Sequence, residues 1–103
     1  MIRITALYPR IPGGRFDMDY FLSQHLPMVM ERLGKACKGA SVEEVVAGIV
    51  PPGPAVYQVM VHYLFESTEA FLAAFNPHAE VIGEDVANYT NLQPIIQVSE
   101  IRA

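Results

Sequence analysis

The chain has 103 residues, room for one domain spanning 1–103, and 51% of them are hydrophobic, with five Phe, five Tyr and no Trp. A formal net charge of −4, with Lys and Arg scattered rather than striped, argues against nucleic acid as a partner. No apolar run approaches the roughly 20 residues of a membrane span, and the lone Cys37 excludes an internal disulfide, so a reducing cytoplasm is the expected location and no membrane partner is expected.

Residues 2–8 read as the first strand, with Ile2, Ile4, Ala6 and Tyr8 on one side and Arg3, Thr5 and Leu7 on the other. This alternation begins at once, so no signal peptide is expected. Pro9–Gly14, with two Pro and two Gly, is a loop. A helix follows, capped by Asp17, carrying Tyr20, Phe21, Met28, Val29, Met30 and Leu33 at helical spacing, and stopped by Gly34. Pro27 sits inside it. Proline removes the hydrogen bond to the Ser23 carbonyl and must kink the helix or change its geometry there.

The Val-rich residues 41–50 read as a strand, placed at a sheet edge by Glu43 and Glu44, with Pro51–Pro54 as the turn that follows. Residues 55–66 form the clearest strand. Tyr57, Val59, Val61, Tyr63 and Phe65 line one face; Val56, Met60 and Leu64 dominate the other, interrupted by Gln58 and His62. Ser67 caps a second helix with Phe71, Leu72 and Phe75, and Asn76–Pro77 opens a further helical segment with Asn76 as its cap. Residues 94–102 are the last strand.

The order β-α-β-β-α-β is that of a ferredoxin-like α+β domain with a four-stranded antiparallel sheet. Helices cover one face of such a sheet. The apolar character of both faces in 55–65 calls for a cover on the other, and a second copy of the chain is the simplest one, so a homodimer is expected.

His25 is the leading candidate for chemistry. It lies four residues after Phe21 and just before Met28 and Val29, on the apolar side of its helix, and an imidazole titrates near neutrality. The plainer alternative is a buried histidine satisfied by a carbonyl. Tyr20 lies five residues before it, about 140° round an ideal α-helix, so the two share a face only if the helix is distorted. His62 either joins His25 on the helix side of the sheet or lies in an interface on the other; alternation alone does not choose. Asp85 is a possible general base whose plainer reading is an exposed helix carboxylate, His78 reads as solvent-exposed, and Cys37 as an ordinary thiol. Three dispersed His and one Cys offer no metal-ligand spacing, and no nucleotide or hydrolase motif occurs, so neither a metal nor any other cofactor is expected. Haem ligation by His25 or His78 stays open as a third reading.

The stretch Phe16-Asp17-x-x-Tyr20-Phe21-x-x-x-His25-x-Pro27-Met28-Val29 resembles the first-helix signature of EthD-type proteins, a branch of the dimeric α/β-barrel superfamily. Asp85-Val86-x-Asn88-Tyr89-Thr90, followed by Pro94, Gln97 and Glu100, is similar to that family's ending. The resemblance implies a ferredoxin-like fold paired into a barrel, with a cleft between the first helix and the sheet. The family is named for a protein linked to ethyl tert-butyl ether degradation, and some relatives act on aromatic or polyketide-like molecules without metal, which implies a lyase or an oxidoreductase-associated activity. It points to His25 as the residue facing the cleft, supported by Tyr20, Asp85 and Tyr89; the expected site then has Tyr20 and Asp85 catalytic with His25, and Phe21, Met28, His62 and Tyr89 as substrate contacts. Phe21 departs from the pattern, standing where many relatives carry a second Tyr.

Two functions are thus expected to compete. One is a cofactor-independent enzyme acting on a hydrophobic or aromatic small molecule, with His25 as acid and base. The other is an accessory protein of a degradation pathway that binds such a molecule without turning it over, for which Met18, Met28, Met30 and Met60 would suit an adaptable pocket.

Overall fold

The computed structural model describes all of residues 1–103. Strands β1 (Ile2–Pro9), β2 (Gly39–Glu44), β3 (Tyr57–Phe65) and β4 (Ile95–Glu100) form one antiparallel sheet in the order β2-β3-β1-β4. The expected ferredoxin-like α+β arrangement is what the chain adopts. The long first helix, α1, is a composite: an α-turn Met18–Tyr20, a π-helical stretch Phe21–His25 and a regular α-helix Leu26–Leu33. After β3 come α2 (Thr68–Phe75), a 3-10 turn Asn76–His78, α3 (Ala79–Asp85) and a second 3-10 turn Val86–Asn88. No helix is long and apolar enough to cross a membrane.

The helix ends follow local chemistry. The Asp17 carboxylate accepts the Tyr20 N–H at 3.0 Å, and Gly34 stops α1 at φ +63°, a conformation that costs glycine nothing sterically. Ser67 Oγ accepts the Ala70 N–H at 3.1 Å and starts α2. Asn76 does not cap α3 as expected. Its backbone stays helical at φ −54° and ψ −41° as the preceding helix runs straight into the 3-10 turn, which moves the start of α3 to Ala79.

The core lies between the helices and one sheet face. Ile2, Ile4, Ala6 and Tyr8 of β1 alternate inward, and β1 pairs with β3 so that Ile4 faces Tyr63 and Ala6 faces Val61. Phe21, Val29 and Leu33 of α1 pack on them, with Ile82 of α3. Each such side chain contributes about 1.5–3 kcal/mol when fully buried.

The other face carries no helix. There Ser41, His62, Thr5 and Gln97 sit in register as a polar row crossing all four strands. Thr5 Oγ1 lies 2.9 Å from His62 Nδ1, and His62 Nε2 lies 3.0 Å from Glu43 Oε1. Leu7, Met60, Leu64 and Ile95 flank the row together with Arg3, Glu43 and Ser99, so this face is mixed rather than uniformly apolar.

The Val-rich stretch is shorter as a strand than expected. β2 ends at Glu44, and the chain then makes a small hairpin pairing Gly48–Ile49 with Pro52–Gly53. Val46 and Val50 are more than nine-tenths exposed. Pro51, without an N–H to give, sits in the turn of this hairpin, and Pro52 pairs with Ile49 on its far side.

Candidate active site

The site is built on the irregularity in α1. The Leu26 N–H reaches back five residues to the Phe21 carbonyl, the π-helical pattern. Pro27 has no N–H to offer the Ser23 carbonyl, which removes one of the bonds that would pull this turn into α geometry. A wider turn brings residues five apart onto one side. Tyr20 and His25, which a regular helix would separate, therefore face the same carboxylate.

That carboxylate is Asp85, at the C-terminal end of α3. Tyr20 Oη donates to its Oδ1 at 2.7 Å, His25 Nδ1 meets its Oδ2 at 2.8 Å, and Asn88 Nδ2 donates to Oδ1 at 2.9 Å. A negative charge at a helix C-terminus is opposed by the helix dipole, so these three donors are what hold it there.

The electrostatics point to one protonation state. Burial lowers the His25 pKa below its ordinary value of 6.5, and the Asp85 carboxylate only partly offsets this. Burial acts to raise Asp85, but the hydrogen bonds from Asn88, Tyr20 and His25 outweigh it and hold the carboxyl below 3.8. At neutral pH the pair is a carboxylate and a neutral imidazole. Nδ1 then carries the proton given to Asp85, and Nε2 is a free base. Donation to Asp85 is also the main reason that the Tyr20 phenol is raised.

His25 is only 4% exposed, yet its Nε2 has no partner in the chain and is not sealed off. It faces a cavity of about 320 Å³ between the helices and the sheet. Tyr8, Tyr63 and Tyr89 line this cavity with apolar side chains such as Val29, Ile82 and Ile96, and no Lys, Arg, Asp or Glu is among them. The Tyr89 ring packs 4.5 Å from the imidazole, centre to centre, and its hydroxyl pairs with that of Tyr8 at 2.7 Å. Burial raises the pKa of all three phenols, so each keeps its proton at neutral pH.

Asp85 also borders a second space. An outer groove of about 510 Å³ is lined by Tyr20, Gln24, Met28, Asp85 and Asn88 among others. The His25–Asp85 bond thus crosses a wall between an apolar cavity and an open polar groove.

Of the residues expected from sequence, His25, Tyr20 and Asp85 come together, and Tyr89 lines the cavity beside them. Asp85 is not the exposed helix carboxylate of the plainer reading, since its side chain is 19% exposed and fully engaged. Phe21 is buried behind the imidazole, packed on Phe16, His25 and Tyr89, and supports the site without lining it. Met28 lies in the outer groove. His62 lies on the opposite sheet face, bonded to Thr5 and Glu43, and does not converge with His25. His78 is half-buried, beside Arg32 at 3.4 Å. Three residues of the arrangement were missed. Asn88, three residues beyond Asp85, was legible as a helical neighbour; Tyr8 and Tyr63 carried only the strand alternation that also marks core. No three His, Cys, Asp or Glu side chains converge as metal ligands.

The EthD domain profile matches residues 15–93. An EthD-like protein from Ralstonia eutropha JMP134 is 39% identical, covering 96% of this chain and 89% of that one, with a TM-score of 0.90. An ethyl tert-butyl ether degradation (EthD) family protein from Bacillus halodurans C-125 is 15% identical over 99% of both chains, with a TM-score of 0.75. A protein described as an antibiotic biosynthesis monooxygenase, from Bordetella bronchiseptica, shares the fold at 17% identity and a TM-score of 0.61, over 99% of this chain and 97% of that one. No protein of the curated set matches significantly. The profile spans both the first-helix motif and the Asp85–Thr90 motif, and the chain belongs to the EthD family.

Proposed function

We propose that the chain is a small enzyme acting on a hydrophobic small molecule held in the inner cavity, with His25 as its general base and acid. The observation that carries this reading is the neutral His25, gripped at Nδ1 by Asp85 with Nε2 free on an apolar cavity. Such a nitrogen can take a proton from a bound molecule, and the adjacent carboxylate then stabilises the imidazolium. Tyr20 and Asn88 act as positioning residues, fixing the carboxylate that fixes the base. The same imidazole can return the proton to another atom of the molecule, which makes a proton shift or an elimination the simplest chemistry available.

His25→Ala is the test. In a screen of uncharged aromatic and alicyclic compounds, turnover by the native protein should fall by about 10²–10⁴-fold in the variant. Equal turnover by the two proteins would remove His25 from the mechanism.

A binding role without turnover is the second reading. It is favoured by the cavity lining, which offers one base and three protonated phenols but no activated nucleophile. Native mass spectrometry that finds a retained ligand, together with no conversion of that ligand, would select it.

The helix-free sheet face, with Leu7, Met60 and Leu64 around its polar row, supports pairing with a second copy. Light scattering should give twice the chain mass, and a charge at Leu64, as in Leu64→Glu, should halve it.

A further inference from the structure

The inner cavity has no cation anywhere in its lining, and its mouth is apolar. Pro94 and Ile96, which belong to that lining, lie at the edge strand β4, where Ile96 is 63% exposed; a shallower groove sharing Ile4, Phe71 and Ile96 continues past Val98. A carboxylate, phosphate or sulfate group entering here would lose its hydration and gain no counter-charge, a severe penalty. An ammonium group would fare no better. The one carboxylate nearby, Asp85, lies behind the imidazole and is already engaged by three donors.

The polar groups left unpaired inside are few, and they are specific. Tyr8 and Tyr89 satisfy each other. His25 Nε2 is an acceptor without a donor. The Tyr63 hydroxyl has no partner in the chain either, and burial keeps its proton on. A molecule complementary to this set offers one O–H to the imidazole and accepts one hydrogen bond from the phenol, and is otherwise apolar. At interior packing density the 320 Å³ holds roughly 240 Å³ of ligand atoms, enough for two or three fused rings.

We propose that the cavity selects uncharged, ring-containing phenols or enols, whose hydroxyl donates to His25 Nε2, with the Tyr63 hydroxyl as a further donor in the same lining, and that it rejects the corresponding carboxylates. The proposal rests on the acid–base reading of the same site and supplies its substrate class. The hydroxyl is the group from which a base at Nε2 would remove a proton. The absence of lining charges is what makes the cavity discriminate.

Calorimetric titration of the full chain at neutral pH with 2-naphthol, 2-methylnaphthalene and 2-naphthoate tests this directly. The three share a ring system and differ in the group presented. The naphthol should bind about tenfold tighter than the methyl compound, the increment of a buried hydrogen bond, and the naphthoate should bind at least a hundredfold more weakly than the naphthol. Tyr63→Phe and His25→Phe, which keep a ring in each place, should each lower the ratio of naphthol to 2-methylnaphthalene affinity measured in the same variant. Equal affinity for naphthol and methylnaphthalene, tightest binding of the naphthoate, or no binding of any of the three would overturn the proposal. Turnover is not read in this experiment. A chain that prefers the phenol but converts nothing therefore keeps the ligand class and loses the acid–base role, whereas a chain that turns over a carboxylate through His25 does the reverse.

Discussion

Tyr20 and His25, five residues apart in one helix, bind opposite oxygens of the same carboxylate, at 2.7 and 2.8 Å from Asp85. A regular α-helix forbids this, because five residues turn it by about 140° past a full turn. The π-helical stretch Phe21–His25 is therefore the structural condition of the site. Several measurable consequences depend on it.

Replacing Pro27 tests that condition. In Pro27→Ala the restored N–H can bond the Ser23 carbonyl, and alanine gains up to about 3 kcal/mol of helix propensity over proline. Losing the bond from Tyr20 to a charged acceptor costs about 1.5–3 kcal/mol. The melting temperature should therefore move little, while the Asp85 pKa, followed by carboxyl carbon resonances, rises as Tyr20 turns away. An unchanged Asp85 titration would mean the π geometry does not depend on the proline.

Asp85→Asn should lower the His25 pKa further, since the carboxylate is the one influence raising it against burial. A single amide oxygen also cannot serve both the Tyr20 hydroxyl and the His25 N–H as two carboxylate oxygens do. Destabilisation of about 1–3 kcal/mol is expected from the stranded donor. Imidazole nitrogen shifts and a denaturant melt read the two effects separately.

Stability should fall in two steps on acidification. His25 has a folded pKa below its unfolded 6.5, so the unfolded chain takes up a proton first and stability is lost as pH drops below about 6.5, until the folded pKa is reached. Asp85 is held below 3.8, so its contribution is present above that value and is lost as pH falls through the lower folded pKa. His25→Phe should remove the first step and shrink the second, because Asp85 then keeps only the Tyr20 and Asn88 donors; melts across pH 3–7 read both (about 1.4 kcal/mol per pH unit is the steepest slope one group can give).

The Tyr8–Tyr89 pair should behave as a unit. Both rings are nearly inaccessible and their hydroxyls are 2.7 Å apart. Tyr8→Phe or Tyr89→Phe alone strands a buried hydroxyl and should cost about 1–3 kcal/mol; removing both should cost less than the sum of the singles. Additive losses in a double-mutant cycle would show that each hydroxyl finds water instead.

Much of this architecture was legible in the order of residues. Alternation in β1 and β3, the Asp17 and Ser67 caps and the Gly34 stop each act within one turn or one strand, where local sterics and capping decide. His25 was visible as a polar group on an apolar helix side. The rest depended on information that short-range patterns lack. At α spacing Tyr20 and His25 do not share a face, and only the π-helical turn before Pro27 brings them together. Asp85 resembled any surface carboxylate until Tyr20 and His25, 65 and 60 residues away, were brought to it. His62 belongs to a strand apolar on both sides, and only the packed helices show which side is which. In residues 45–50 the valines favoured a strand, but the ladder ends at Glu44 and a separate two-residue hairpin follows.

The position of Asp85 in the wall between cavity and groove has a kinetic consequence. A base that works in a dry pocket must give its proton back to solvent before it can act again, and in many sites this waits for the product to leave. Here Nε2 lies on the cavity side, while Nδ1 meets the outside through the carboxylate. Charge can therefore equilibrate with the bulk while the cavity is occupied, but a hydrogen taken at Nε2 stays on that nitrogen. A molecule deprotonated there should regain its own hydrogen, so deuterated solvent should label it only after the cavity empties.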